Sequence, residues 1–186
     1  MIVAIIPAKK GSKRLKNKNL RIILKKPLLY WTAIYSSKSK IIQNTYVSSE
    51  SKTVLNYAKK IGLKTIHRPK NLCGETPIID VYKHAYSKLK KKLNIKTIVG
   101  LQPDHPDRNL KLDKVLNKFL SKKADFLYSI DNKKKKNGAH YILSKKVLEG
   151  KNIKKKTFVI DNCTNIHFKN DLIKAEKNLK KNEKKN

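Results

Sequence analysis

Short apolar runs alternate with longer stretches of helical periodicity along most of this chain. The first run, Ile2 to Ile6, is rich in β-branched residues and stops at Pro7, the pattern of a strand buried on both faces of a parallel sheet. Further runs predict strands at Thr45–Ser49, Lys64–His67, Thr97–Gln102, Asp125–Ile130, Ala139–Leu143 and Thr157–Ile160. Between them, apolar residues spaced as on a helix face predict helices at Leu28–Tyr35, Ser51–Ile61, Thr76–Leu89, Leu112–Leu120, Ser144–Glu149 and Asp171–Leu179. The punctuation agrees. Pro27 and Pro77 stand in first turns, Ser144 at an N-cap, and Gly62 and Gly150 just past helix ends. Leu20 to Leu24 is a short apolar patch, and Lys133 to Lys136 reads as a solvated turn. Strands alternating with helices imply an α/β fold with a mostly parallel sheet covered on both faces. No repeat or linker interrupts the pattern, so one domain is expected over 1–179, followed by a charged, frayed tail at 180–186.

Charge changes the picture less than its size suggests. Lys and Arg number 46 against 13 Asp and Glu, a formal net charge of +33. A basic face is the footprint of nucleic-acid binding. Here the cations are mostly Lys, lack the guanidinium fork, and run through the whole chain alongside abundant Asn and Ile, as a compositional bias would produce. No specific nucleic-acid partner is expected, and a phosphorylated small molecule suits the charge as well. Cys73 and Cys163 lie far apart, forming neither a metal knuckle nor a disulfide framework. The first apolar run is too short for a secretory signal, and no stretch approaches a membrane span. The expected location is cytoplasmic.

Ligands of open α/β sheets bind beyond the carboxyl ends of strands, which directs attention to the segments after each run. After the first strand come Gly11 and a dense set of cations, Lys9, Lys10, Lys13, Arg14, Lys16 and Lys18, an arrangement suited to phosphate. Composition alone could also place cations there. After the central strand, Gln102-Pro103-Asp104-His105-Pro106-Asp107-Arg108 is a proline-stiffened loop displaying Gln, Asp, His and Arg. Gln102 can both donate and accept, as recognition of a sugar or base edge requires. Ser48-Ser49-Glu50 either meets a ligand or caps the following helix, and capping is the default role of Ser before a helix. His105 has no nucleophile near it in sequence, and His67, His84 and His140 fall in strand or helix settings that favour packing or surface roles.

Taken together, these motifs resemble the cytidylyltransferases that activate 2-keto-3-deoxy sugar acids as CMP-sugars. That family opens with a pattern close to IPARGGSKRLPxKN, written here IIPAKKGSKRLKNKN from Ile5 to Asn19. Its VSTDD is matched by Val47 to Ser51, and its RP…L…(D/E)T segment by Arg68-Pro69, Leu72 and Glu75-Thr76. Its LQPTSPLR is matched by Leu101 to Arg108, and its NGAIY by Asn137 to Tyr141. The resemblance implies a Rossmann-like nucleotidyltransferase that joins CTP to a sialic, legionaminic or octulosonic type of sugar acid. It would release pyrophosphate, use Mg²⁺, and serve glycoconjugate or surface-polysaccharide synthesis. It implies Lys9 and Lys18 as catalytic residues. Ala8, Lys9, Lys13, Lys18, Asn19, Arg68, Glu75 and Thr76 would hold the nucleotide, and Gln102 and Arg108 the sugar. Lys9 stands where the family has Arg. The family's C-terminal metal motif, DIDTxxDL, aligns with Asn165 to Leu172, so Asn165 and His167 replace its carboxylates as candidate metal ligands. The segment between Ile130 and Asn137 is shorter than the family's excursion there, which contributes to dimerisation and closes the sugar site. Two other readings follow from these departures and from the charge: a non-catalytic nucleotide-sugar binding protein of the same fold, and a basic nucleic-acid module.

Overall fold

The computed structural model describes residues 1–12 and 14–183. The first half of the chain comprises β1 (Ile2–Pro7), a small hairpin of β2 (Ile22–Ile23) and β3 (Lys26–Pro27), α1 (Leu28–Ser37), β4 (Asn44–Ser49), α2 (Lys52–Lys60), β5 (Lys64–His67) and α3 (Ile78–Leu89). The second half comprises β6 (Thr97–Gly100), α4 (Leu112–Ser121), β7 (Phe126–Ile130), β8 (Lys136–Ser144), α5 (Lys145–Leu148), β9 (Lys156–Ile160) and α6 (Lys169–Glu183). Seven strands make one sheet in the order β5-β4-β1-β6-β8-β7-β9. Neighbours are parallel except where β8 meets β6 and β7.

The alternation within β1 explains the layering. Val3 and Ile5 face one way and pack with Ile98, Tyr82 and Ala85 of α3, and Val147 and Leu148 at α5. Ala4 and Ile6 face the other way and meet Leu29 of α1, Val54 and Ala58 of α2, and Val115, Leu116 and Phe119 of α4. Each of these helices thus lays one apolar stripe on the sheet, and β1 is buried because both its faces are covered. α2 is capped by Ser51, not by the Ser48–Glu50 segment before it, Ser51 Oγ accepting from the Val54 N–H at 3.4 Å. Among the described residues, no helix is long and apolar enough to cross a membrane.

Four features differ from the sequence reading. β8 begins at Lys136, earlier than its apolar residues, and runs antiparallel to both neighbours. The short connection 131–135 between β7 and β8 forces this, because a parallel return needs a crossover of about a dozen residues. The hydroxyl of Ser144 stands at the start of α5 but makes no capping bond and is buried without a partner. The patch at Leu20–Leu24 is part of the β2–β3 hairpin, whose Ile23 packs with Leu28, Ile166, Ala175 and Leu179 in a third apolar cluster. That cluster brings α6 back onto the chain's beginning and draws the helix on past Leu179, so Lys180–Glu183 are helical and not frayed. Asp171 Oδ2 accepts from the N–H groups of His167 and Phe168, both at 2.8 Å, which caps the helix start. Residues 184–186 of the expected tail lie outside the described residues.

Two contacts fix the strand ends that matter later. At the end of β6, a Cβ on Gly100 would meet the Tyr82 ring at 2.2 Å. Tyr82 is fully buried, so neither side can give way. At the ends of β4 and β5, Arg68 Nη2 pairs with Glu50 Oε2 at 3.0 Å, with side-chain exposures of 3% and 16%. Glu50 Oε1 also accepts from the Lys10 N–H at 2.7 Å, so one carboxylate ties the segments after β1 and β5 to each other. Burial would raise the Glu50 pKa, but its hydrogen bonds to backbone N–H groups, Lys10's included, and to Arg68 outweigh burial and hold it below the ordinary 4.5.

Gly100→Ala should lower stability by about 1–3 kcal/mol through overpacking, read as a shift of the urea midpoint. Because the folded pKa of Glu50 is depressed, its contribution is present above pH 4.5 and is lost as pH falls through the folded value. Glu50→Gln should therefore cost about 1–3 kcal/mol at neutral pH. The gap in urea midpoint between wild type and variant should then narrow as pH is lowered past 4.5.

Candidate active site

A cleft of about 210 Å³ opens beyond the carboxyl ends of β1, β5 and β6. The loops after three strands supply its wall: Lys9, Ser12, Lys18 and Asn19 after β1, Arg68, Cys73 and Thr76 after β5, and Gln102 and Asp104 after β6. Three cations, Lys9, Lys18 and Arg68, stand around it against the carboxylate of Asp104. Such a lining suits a ligand with several negative charges.

Each wall residue is held by its own partners. Lys9 Nζ donates to Gly74 O at 2.9 Å, joining the first and second loops. Asn19 is buried and donates through Nδ2 to Lys9 O at 2.7 Å, so it fixes the backbone from which Lys9 projects. Lys18 Nζ donates to Asp104 Oδ2 at 2.6 Å and to Ile166 O at 2.9 Å. It therefore joins the first loop to the third and to the C-terminal segment. Thr76 Oγ1 donates to Cys73 O at 3.0 Å and closes the turn before α3. Gln102 rests against Gly138, where a Cβ would come within 2.8 Å of its Oε1. The positive φ of Gly138, 82°, is a second reason for glycine there.

The other predicted residues are placed differently. Ala8 is buried and meets Ser48 O through its N–H at 2.9 Å, a structural position at the edge of the site. Glu75 is exposed beside Thr76. Lys13 lies outside the described residues. Arg108 is not on the cleft wall. Its guanidinium is buried behind the cleft and donates to Gln102 O, Ala139 O, Thr32 Oγ1 and His105 O, which corrects the expectation of direct sugar contact. Asn165 and His167 flank Ile166 but do not line the cleft. Asn165 Nδ2 reaches Asn137 O at 3.5 Å. The His167 ring is held below its usual pKa by burial and then by Arg14 and Lys18. Among the described residues, no group of three or more His, Cys, Asp or Glu side chains comes together to hold a metal.

Behind the cleft lies a buried polar layer. His105 is pushed down to about 3 by burial and by Arg108, and His140 well below its usual range by the same causes. Burial and the nearby Asp161 push the Cys163 thiol up. Burial also raises Asp161, against the N–H of Asn109 and the charge of Arg108. These groups are neutral or held by backbone donors, so none is an activated nucleophile. The cleft wall has cations and amide groups in place of a nucleophile–base pair. That arrangement binds and orients two external reactants and stabilises charge between them.

Sequence reading missed Asp104 and Glu50 as partners of site cations. Asp104 sits two residues after Gln102 in the loop following the central strand, which is the signal that could have found it. Of the two roles open to Ser48-Ser49-Glu50 in the sequence, capping falls to Ser51.

The cytidylyltransferase family model matches residues 3–181. The chain is similar to the N-acylneuraminate cytidylyltransferase of Escherichia coli, with 32% identity over 109 residues, 58% of this chain and 25% of that protein. It is also similar to the CMP-N,N'-diacetyllegionaminic acid synthase of Legionella pneumophila, with 39% identity over 61 residues, 33% of this chain and 26% of that one. The matched stretches thus span about a quarter of these two relatives. Among solved structures, a CMP:2-keto-3-deoxy-manno-octonic acid synthetase complexed with CTP shares the fold. Its TM-score is 0.78 over 97% of this chain and 99% of that one, at 16% identity. The Rossmann-like α/β sheet, the loops that build the cleft and the family match over nearly all the described residues agree: this chain belongs to the cytidylyltransferase family.

Proposed function

We propose that this chain transfers CMP from CTP to a 2-keto-3-deoxy sugar acid of the sialic, legionaminic or octulosonic type, for glycoconjugate or surface-polysaccharide synthesis. The observation that carries this reading is the convergence of Lys9, Lys18 and Arg68 on one cleft whose wall also holds Gln102. The names of the relatives support the same substrate class. In the reaction, a hydroxyl oxygen of the sugar acid attacks the α-phosphorus of CTP. The bond from that phosphorus to the bridging oxygen breaks, pyrophosphate leaves with the electron pair, and the hydroxyl proton passes to water. Lys9 and Lys18 meet the charge of the triphosphate, Arg68 and Asn19 shape the nucleotide side, and Gln102 orients the sugar through its paired donor and acceptor.

Mg²⁺, when bound, would neutralise part of the triphosphate charge. An ion of this kind carried on phosphates needs one or two protein carboxylates beside phosphate and water oxygens. Asp104 on the cleft wall fits that need. Asn165 offers an amide oxygen from the adjoining segment, whereas the imidazole of His167 suits transition metals better.

Incubation with CTP, Mg²⁺ and a panel of such sugar acids should release pyrophosphate with at least one of them. CTP binding without pyrophosphate release from any of the three types would sink the proposal. Lys18→Ala should lower kcat/KM for CTP by roughly 100-fold or more, because it removes a preorganised cation from the developing charge. A loss below about threefold would remove Lys18 from the site's chemistry.

A further inference from the structure

The acceptor side of the same cleft carries a second inference, which rests on the cytidylyltransferase reading above. β6 and β8 run antiparallel in a register whose last pair is Gly100 with Tyr141. Carried onward, that register would set Leu101 opposite His140 and Gln102 opposite Ala139. The ladder stops instead, and a side chain stands in its place. Arg108 Nη2 donates to Gln102 O at 2.6 Å and Nε donates to Ala139 O at 3.0 Å. The guanidinium thus bonds the two carbonyls of the residues that would have formed a later rung.

The remaining contacts anchor it from behind. Nη1 donates to Thr32 Oγ1 on α1 at 3.2 Å and to His105 O. The guanidinium carbon lies 5.1 Å from the centre of the Tyr35 ring. Arg108 is 7% exposed. Of its five N–H donors, four are engaged, and they point to acceptors on three different segments. A lysine ammonium on a flexible stem cannot span that set. The result is felt on the wall of the cleft. Gln102 lies against Gly138, the residue before Ala139, so one guanidinium holds the backbone on both sides of the Gln102 amide.

We infer that Arg108 is a positioning residue: a wedge that parts β6 from β8 beyond Gly100 and sets the width of the slot in which Gln102 meets the sugar acid. The nucleotide side is built by other bonds, from Lys9 to Gly74, Asn19 to Lys9 and Arg68 to Glu50. The wedge therefore acts on use of the acceptor more than on use of CTP.

Arg108→Lys tests this with two readouts. With both substrates varied, the KM for the sugar acid should rise about tenfold or more while the KM for CTP moves less than about threefold, since small displacements at a reacting site have large kinetic effects. Amide hydrogen exchange should quicken at 101–102 and 137–140 and stay unchanged at 44–49. Equal losses for both substrates, or an unchanged acceptor KM, would overturn the inference. Exchange needs no turnover, so it separates this idea from the proposed reaction. If no sugar acid reacts, faster exchange confined to those two segments supports the wedge, and unchanged exchange there overturns it. Should Arg108→Lys fail to fold, Thr32→Val removes one anchor from outside the cleft and should shift both readouts the same way by a smaller factor. No shift in either would count against the wedge.

Discussion

The burial of β1 on both faces is the constraint on which the rest depends. A strand covered on one side by α1, α2 and α4 and on the other by α3 and α5 has no freedom in register, since a slip of one residue would exchange the two apolar sets. Its neighbours inherit that fixity: β4 and β6 pair directly with it, β4 as far as Pro7 and β6 as far as Ile5. The backbone leaving β1 at Pro7 therefore enters the loop at a defined place, and Ala8 continues the contact through Ser48 O. Lys9 and Lys18 are set by this route. Their charge is a matter of composition, but their position is a consequence of hydrophobic packing beneath them.

Much of this could be read from the chain, because apolar periodicity reports burial. Every sheet strand that the periodicity marked is present, whereas the cap of α2 is Ser51 and not the preceding Ser48–Glu50. Strand direction was less legible. An apolar run such as that of β8 looks alike in either sense, and only the shortness of the 131–135 connection determines that it runs antiparallel. The family pattern located Lys9, Lys18, Arg68 and Gln102 on one cleft but misjudged Arg108. A motif records which residue is present, whereas the partners of a guanidinium depend on where four acceptors from distant segments happen to meet. The extension of α6 was hidden for a related reason. Its Lys-rich end reads as solvated tail, and only the facing cluster of Ile23, Leu28 and Ile166 holds Leu179 and continues the helix.

The chain's acidic residues are few, 13 against 46 cations, and their placement is selective. Asp125 accepts from the N–H groups of Lys154 and Lys155 and secures the entry to β9. Asp107 takes the N–H and hydroxyl of Thr164 and the amide of Asn178. Glu50 and Asp104 each hold a cation of the site. Carboxylates here mostly terminate backbone donors at junctions between segments, where a charged acceptor counts for more than in an exposed ion pair. The unpaired lysines lie outside and repel one another, so the fold's net charge is a load that these junctions must bear.

The bond from Lys18 to Ile166 O joins residues 148 positions apart. It has a consequence for the order in which the molecule comes into being on the ribosome. The sheet's first strands can pair as soon as β4 and β6 have emerged, and domains generally assemble from the N-terminal side during synthesis. Lys18 has no such early partner. Its two acceptors arrive in sequence, Asp104 first and Ile166 only when most of the chain has been translated. The cleft is thus completed well after the first strands have paired, and a nascent chain halted before Ile166 would carry most of the sheet without a finished site.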